Sequence, residues 1–268
     1  MSGVSAVATS TTRRPSPRAR SSKFDLWFTF WTIPIFYGAQ GLIYVVLTRL
    51  MPPRRPDVGP DQVAEFFSDH SLGIKVGFGA LMVISGFVGT ANGLIAFQIR
   101  RMSVSPAFSY AFIGALAVGA TPGFLIGGFA FLVAVFRPHR SPDTLMMLYD
   151  LAFLSFIGSL GCFAAAWTVL GVAILLDRNE ILPKWFGYAT IWQIITEFIA
   201  ALVFLFEAGP FAWNGAVTFY INTAVYLFWQ VCQFYVLFKV VQAFQGHRSP
   251  MSTNRGGAPA PIGMERRT

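Results

Sequence analysis

AFSYAFIGALAVGATPGFLIGGFAFLVAV, residues 107–135, contains no charged side chain. A helix needs about 20 apolar residues to cross roughly 30 Å of hydrocarbon, so this stretch is long enough to span a bilayer. Comparable runs occur on both sides of it, at Leu26 to Thr48, Val76 to Phe97, Met146 to Leu176, Trp185 to Phe206 and Asn214 to Phe238, and only Asp150 and Glu197 carry charge inside them. The whole chain agrees: 54% of its 268 residues are hydrophobic, 12% are charged, and the mean hydropathy is +0.57. A water-soluble domain carries about twice that charged fraction. Strand-like alternation is absent, and in lipid only helices and closed barrels satisfy every backbone group. The expected fold is therefore all-α, a bundle of six transmembrane helices over residues 25–245, flanked by polar tails at 1–24 and 246–268 whose composition predicts disorder.

Six crossings place both tails on one side, and basic residues near short loops resist translocation. Fourteen of the twenty Lys and Arg residues fall on the tail side: Arg13, Arg14, Arg18, Arg20, Lys23, Arg100, Arg101, Arg178, Lys184, Lys239, Arg248, Arg255, Arg266 and Arg267. Both termini are thus expected in the cytoplasm. The net charge of +8 reflects this orientation rather than a nucleic-acid surface, because no basic face interleaved with aromatic residues exists. The Arg- and Ser-rich start lacks the apolar stripe of a transit peptide, and the first run is too long for a cleaved secretory signal, so it reads as a retained anchor.

Between the spans, Pro60 opens a segment whose Val63, Phe66 and Phe67 share one face, which predicts a short amphipathic helix lying on the outer surface. Ser141 is placed to cap the fourth span, with Pro142 and Asp143 in its first turn. Pro183 and Trp185 start the fifth span. The stretches MPPRRPDVGPDQVAEFF (51–67), FRPHRSPD (136–143) and GPFAWNG (209–215) resemble those of a group of uncharacterised bacterial six-span membrane proteins, over roughly residues 25–245. That resemblance implies a bacterial plasma-membrane setting and carries no activity and no residue roles.

Metal and redox chemistry find few ligands. His70 and His139 fall in outer loops and His247 in the tail, so no pair is placed to hold haem or a metal within the membrane. Cys162 and Cys232 form no CxxC and read as small buried hydrophobes. Phosphate-binding loops and GxSxG are absent. No cofactor is expected.

Packing signals are stronger. Gly119, Gly123 and Gly127 form a GxxxGxxxG face that lets another helix approach closely, and Gly79, Gly86, Gly89 and Gly93 in span two, with Gly158, Gly161 and Ala165 in span four, extend the pattern to a tight core of spans two to four. A homodimer or a partner in a membrane complex is the alternative use of these faces. Pro122 lacks an N–H and frees the carbonyl near Val118, which kinks the helix or offers an oxygen to a ligand.

Polar residues give the chemistry. Asn222, Tyr226, Gln230 and Gln233 form one stripe on span six, Tyr37, Gln40 and Tyr44 another on span one, and Glu197 lies at mid-depth of span five one turn from Gln193. A charge at mid-bilayer costs at least about 2.5 to 3.5 kcal/mol, and no Lys, Arg or His lies within a span to pair with it. Glu197 is therefore neutral or solvated. It either serves as structural glue bonded to Gln193 or a span-six amide, or anchors a proton, cation or ligand site among spans one, five and six. Asp150 and Glu207 lie nearer the outer ends and read as solvated. Three functional classes follow: binding or transport of a small lipophilic or weakly polar molecule, a metal-independent membrane enzyme on a lipid-like substrate, and an accessory or scaffold subunit. Beyond Glu197 and a tyrosine no catalytic pair is recognisable, which disfavours the enzyme.

Overall fold

The computed structural model describes residues 23–244. The segments 1–22 and 245–268, most of the two tails, lie outside the described residues. Among the latter the chain is helical, with no strand. The first span joins α1 (Lys23–Leu42) to a wide π-helical turn (Ile43–Leu47). The second consists of α2 (Pro60–Ile84) and α3 (Phe87–Arg101), and the third of α4 (Ala107–Ala120), a π turn (Thr121–Gly127) and α5 (Gly128–Phe136). The fourth is α6 (Pro142–Ile157) and α7 (Leu160–Leu176). The fifth is α8 (Lys184–Ala200) with a short tight turn (Ala201–Phe204), and the sixth is a π turn (Ala216–Ile221) running into α9 (Asn222–Ala243).

Five of these spans are single stretches long and apolar enough to cross a membrane, and α2 with α3, bent by 41°, makes a sixth when read as one crossing. The bend falls at Ser85–Gly86, where the serine hydroxyl donates to the carbonyl of Met82 at 3.0 Å. Ser/Gly pairs are a common cause of helix kinks. The exterior is apolar, with Phe28, Trp31 and Ile35 exposed on α1 and Trp192, Ile195 and Phe198 on α8. Contiguous apolar surface on this scale belongs in lipid, so the chain is a multi-pass membrane protein.

Each span packs on the next, and the sixth closes on the first through α1 and α9. Spans three and four meet as the glycine spacing predicts. A Cβ at Gly119 would lie 3.1 Å from the Cys162 carbonyl oxygen, one at Gly123 2.9 Å from the Ser159 hydroxyl, and one at Gly127 3.1 Å from the Ala152 carbonyl oxygen. Span four thus occupies this face within the chain, which removes it as a dimer surface. Span two corrects the pattern. Gly79, Gly86, Gly89 and Gly93 have nothing within 4 Å, whereas Gly73 and Gly77 take the close contacts, against Leu47 and Thr48 of the first span. In span four, Gly158 meets the Phe204 ring and Gly161 the backbone of Glu197, while Ala165 is exposed.

Three further expectations change. The segment from Pro60 is no separate surface helix but the opening turns of α2, and its Val63, Phe66 and Phe67 are buried. Their face packs on α5 and α6, with Phe67 6.2 Å from Phe131 and Phe66 6.3 Å from Tyr149, while Asp61, Glu65 and Asp69 keep the opposite face in water. No proline follows Phe67 within α2, so the helix continues through the exposed Lys75 into the membrane. Cys162 is exposed and Cys232 half-buried rather than core residues, because Cys162 shares the outward face of α7 with Ala165 and Val172. Finally, α1 opens at Lys23, inside the tail assigned from composition.

Both ends of the ring are fastened by polar contacts. At the end nearer the tails, the buried Asp177 carboxylate accepts from the backbone N–H groups of Ser103 (2.7 Å), Ile181 (2.9 Å) and Asn179 (3.0 Å). Lys184 donates to the carbonyls of Ile174, Leu175 and Asp177, satisfying the open C-terminus of α7 where a cation also suits the helix dipole. At the far end the Trp213 indole donates to the Arg54 carbonyl at 2.7 Å and stacks on Phe153, while the Arg54 guanidinium lies over Phe66. Ser141 accepts from the Thr144 N–H, the expected cap of α6.

Candidate functional site

The ring encloses a cavity of about 410 Å³. Three wide turns shape it. Tyr44 and Val45 come from the π turn of the first span, Gly123 and Phe124 from that of the third, and Thr218 and Phe219 from that of the sixth. Such turns insert an extra residue into a helix and recur at functional sites. The turn in span three contains Pro122, whose missing N–H accounts for the break, although Pro122 itself does not line the cavity.

Of the sequence-predicted residues, Tyr37, Gln40, Glu197, Asn222, Tyr226 and Gln230 line the cavity. Gln193 stands behind the wall and donates through Nε2 to Glu197 Oε1 at 2.6 Å. Tyr44, a member of the first-span stripe, also lines it, whereas Gln233 at the end of the sixth-span stripe is buried away from it. Asp150 and Glu207 do not reach it; Glu207 borders a separate pocket of about 380 Å³ at the far end with Arg55 and Asp57.

The polar groups fall into two sets. Some are satisfied by neighbours: Asn92 Nδ2 donates to the Tyr37 hydroxyl at 3.1 Å and Gln230 Nε2 to the Tyr226 hydroxyl at 3.1 Å. Others have no hydrogen-bond partner within the protein, namely Glu197 Oε2, both amide atoms of Asn222, Gln230 Oε1 and the Tyr44 hydroxyl. Glu197 and Asn222 are only 2% and 3% exposed. Leaving a buried polar atom unpaired costs about 1 to 3 kcal/mol, more when it is charged. A cluster of such atoms around one space suits a molecule that brings its own polar groups.

The remaining wall is largely aromatic and comes mostly from span four, as Phe156, Phe163 and Trp167, with Phe124 from span three. Tyr44 stacks on Phe156 at 4.6 Å, and Trp167 contacts Trp229, whose indole donates to Thr190 and ties span six to span five. Near the tails, Phe30 packs on Phe234 and Phe238, sealing the gap between first and last spans. Higher up that gap is open: Gly41, Val45, Thr223 and Leu227 line the cavity and are exposed, Val45 by 51% and Leu227 by 58%.

Sequence reasoning missed Asn92 and the aromatic wall. Asn92 carried a readable signal, an amide inside an apolar run, but span two was read only for its glycines. The aromatic wall carried none, because a buried aromatic residue in a span has the same pattern whether it faces a neighbour or a cavity. Among the described residues no three His, Cys, Asp or Glu side chains come together to hold a metal. No protein-family model, curated protein or solved structure matches the chain. The class defined by fold and cavity is a multi-pass α-helical membrane protein.

Proposed function

We propose that the protein binds or moves a small lipophilic or weakly polar molecule in the cavity around Glu197. The supporting observation is the set of buried, unpartnered polar atoms on Glu197, Asn222 and Gln230, facing an otherwise apolar space. A volume of about 410 Å³ lies within the roughly 300 to 1,000 Å³ usual for small-molecule sites, and a mostly apolar wall with a few convergent polar groups is their usual chemistry. The test is a cavity-filling change that leaves the packing alone. A Cβ added at Gly41 meets nothing within 4 Å, so Gly41→Phe can add a ring at the mouth without a backbone clash at its first carbon. The parent released from lipid nanodiscs into a mass spectrometer is expected to carry a bound lipophile that the Gly41→Phe protein has lost, with both melting at similar temperatures. Equal loads of small molecule on the two proteins would remove this function.

The same reading places the chain in a bacterial plasma membrane with both termini in the cytoplasm, supported by the excess of Lys and Arg on the tail side. Ser68 in α2 and Ser105 between α3 and α4 are both exposed. Single cysteines at these positions are expected to react with a membrane-impermeant maleimide from opposite faces of the cell membrane, Ser68→Cys from outside and Ser105→Cys only after permeabilisation. Labelling of both from one face would exclude six crossings.

A further inference from the structure

Glu197 brings a carboxyl group to a cavity whose wall carries no cationic side chain. The titratable groups facing it are Tyr37 and Tyr44 from the first span and Tyr226 from the sixth; the third and fourth spans contribute none, and no Lys, Arg or His lines the wall. A carboxylate here is compensated either by a proton or by a cation brought in from outside. Unpartnered acceptor oxygens on Glu197, Asn222 and Gln230 stand in the same wall, beside one unpartnered amide donor, Asn222 Nδ2. Aromatic faces on Tyr44, Phe156, Phe163 and Trp167 supply the π surfaces that attract cations and that tolerate bulky apolar groups. An anionic headgroup would meet no counter-charge in this wall and would face the carboxyl.

We propose that the ligand of this cavity is a lipophilic organic cation, an amine or quaternary ammonium group on an apolar body, which arrives from the bilayer through the gap between the first and last spans. The inference rests on the cavity being a ligand site. The gap supplies the route: Gly41, Val45, Thr223 and Leu227 belong at once to the cavity wall and to the exposed surface, so a molecule dissolved in lipid reaches Glu197 without crossing water. Charge is conserved at the site because the arriving cation takes the place of the carboxyl proton, which leaves to solvent.

The test compares two probes of one shape on the purified full chain: benzyltrimethylammonium and its uncharged carbon analogue, neopentylbenzene, each radiolabelled and measured by equilibrium binding. Cation–π contact and ion pairing in a desolvated wall predict that the cation binds about tenfold tighter or better. Glu197→Gln is expected to abolish that preference, and Glu197→Asp, which restores the charge, to recover most of it. Discrimination by the parent decides the matter even if the glutamine variant fails to fold. Equal binding of the two probes, or tighter binding of neopentylbenzene, would overturn the cation class and leave the small-molecule site standing. Binding of neither probe would overturn the cation class too, and together with equal lipophile loads on parent and Gly41→Phe protein it would remove the site as well.

Discussion

Gly73→Ala is expected to destabilise the bundle by about 3 kcal/mol, the upper end of what overpacking costs. A Cβ at this position would sit 2.0 Å from the carbonyl oxygen of Leu47 and 3.1 Å from its carbonyl carbon. Neither atom belongs to a side chain that can rotate away, so α2 and the end of the first span must separate. The separation would also disturb Tyr44 and Val45, which belong to the same π turn and line the cavity. Gly79 is the internal control, on the same helix with no atom within 4 Å. Gly79→Ala is expected to gain up to about 1 kcal/mol, because alanine is the better helix former. Thermal unfolding of both variants in one detergent measures the difference, and equal shifts would show that the close approach of α2 to Leu47 is absent.

Asp177→Asn is expected to cost about 2 kcal/mol at neutral pH, since hydrogen bonds to a charged group are worth about 1.5 to 3 kcal/mol. The asparagine Oδ1 can still accept from Ser103 and Asn179, but its amide turns a donor toward the Ile181 N–H that the second carboxylate oxygen now satisfies. Burial pushes the carboxyl up, and the backbone N–H groups of Ser103, Ile181 and Asn179, with the Ser103 side chain, outweigh it, so the net displacement is below the ordinary value of 3.8. A depressed carboxylate stabilises the fold fully above its unfolded value of about 3.9, and that contribution disappears as pH falls through the folded value. Melting temperatures of parent and variant are therefore expected to differ most near neutrality and to converge in acid. A gap that stays constant from about pH 6 to about pH 3 would mean that the carboxylate charge contributes nothing to the clamp.

The all-helical membrane architecture was legible because it depends on chemistry summed along the chain. A run such as 107–135 has no other stable state than a helix in lipid, whatever its neighbours do. The GxxxGxxxG face of span three was legible for a related reason: three residues without side chains on one face permit close approach, and span four takes it. The polar stripes were legible too, because amides and phenols at helical spacing in an apolar span need partners, and six of the seven predicted residues meet around one cavity with Gln193 directly behind Glu197.

What the sequence could not decide was which surfaces meet. Gly73 and Gly79 are both glycines in α2, and only the path of the first span makes one a contact and leaves the other open. Val63, Phe66 and Phe67 showed an apolar face, but whether it lies on lipid or on α5 and α6 depends on how far α2 projects beyond the bilayer. Nothing in the local sequence marks Asp177, whose role comes from N–H groups of Ser103, Asn179 and Ile181 brought together by two different loops. The cavity is the clearest case: its polar members were visible because polarity is costly in lipid, whereas its aromatic wall was invisible, since a phenylalanine in a span costs nothing on any face. Along the chain, sequence by itself determined which residues must be in the membrane and which must find partners there. Tertiary structure alone decided who those partners are, because close packing depends on distances between helices that no local pattern encodes.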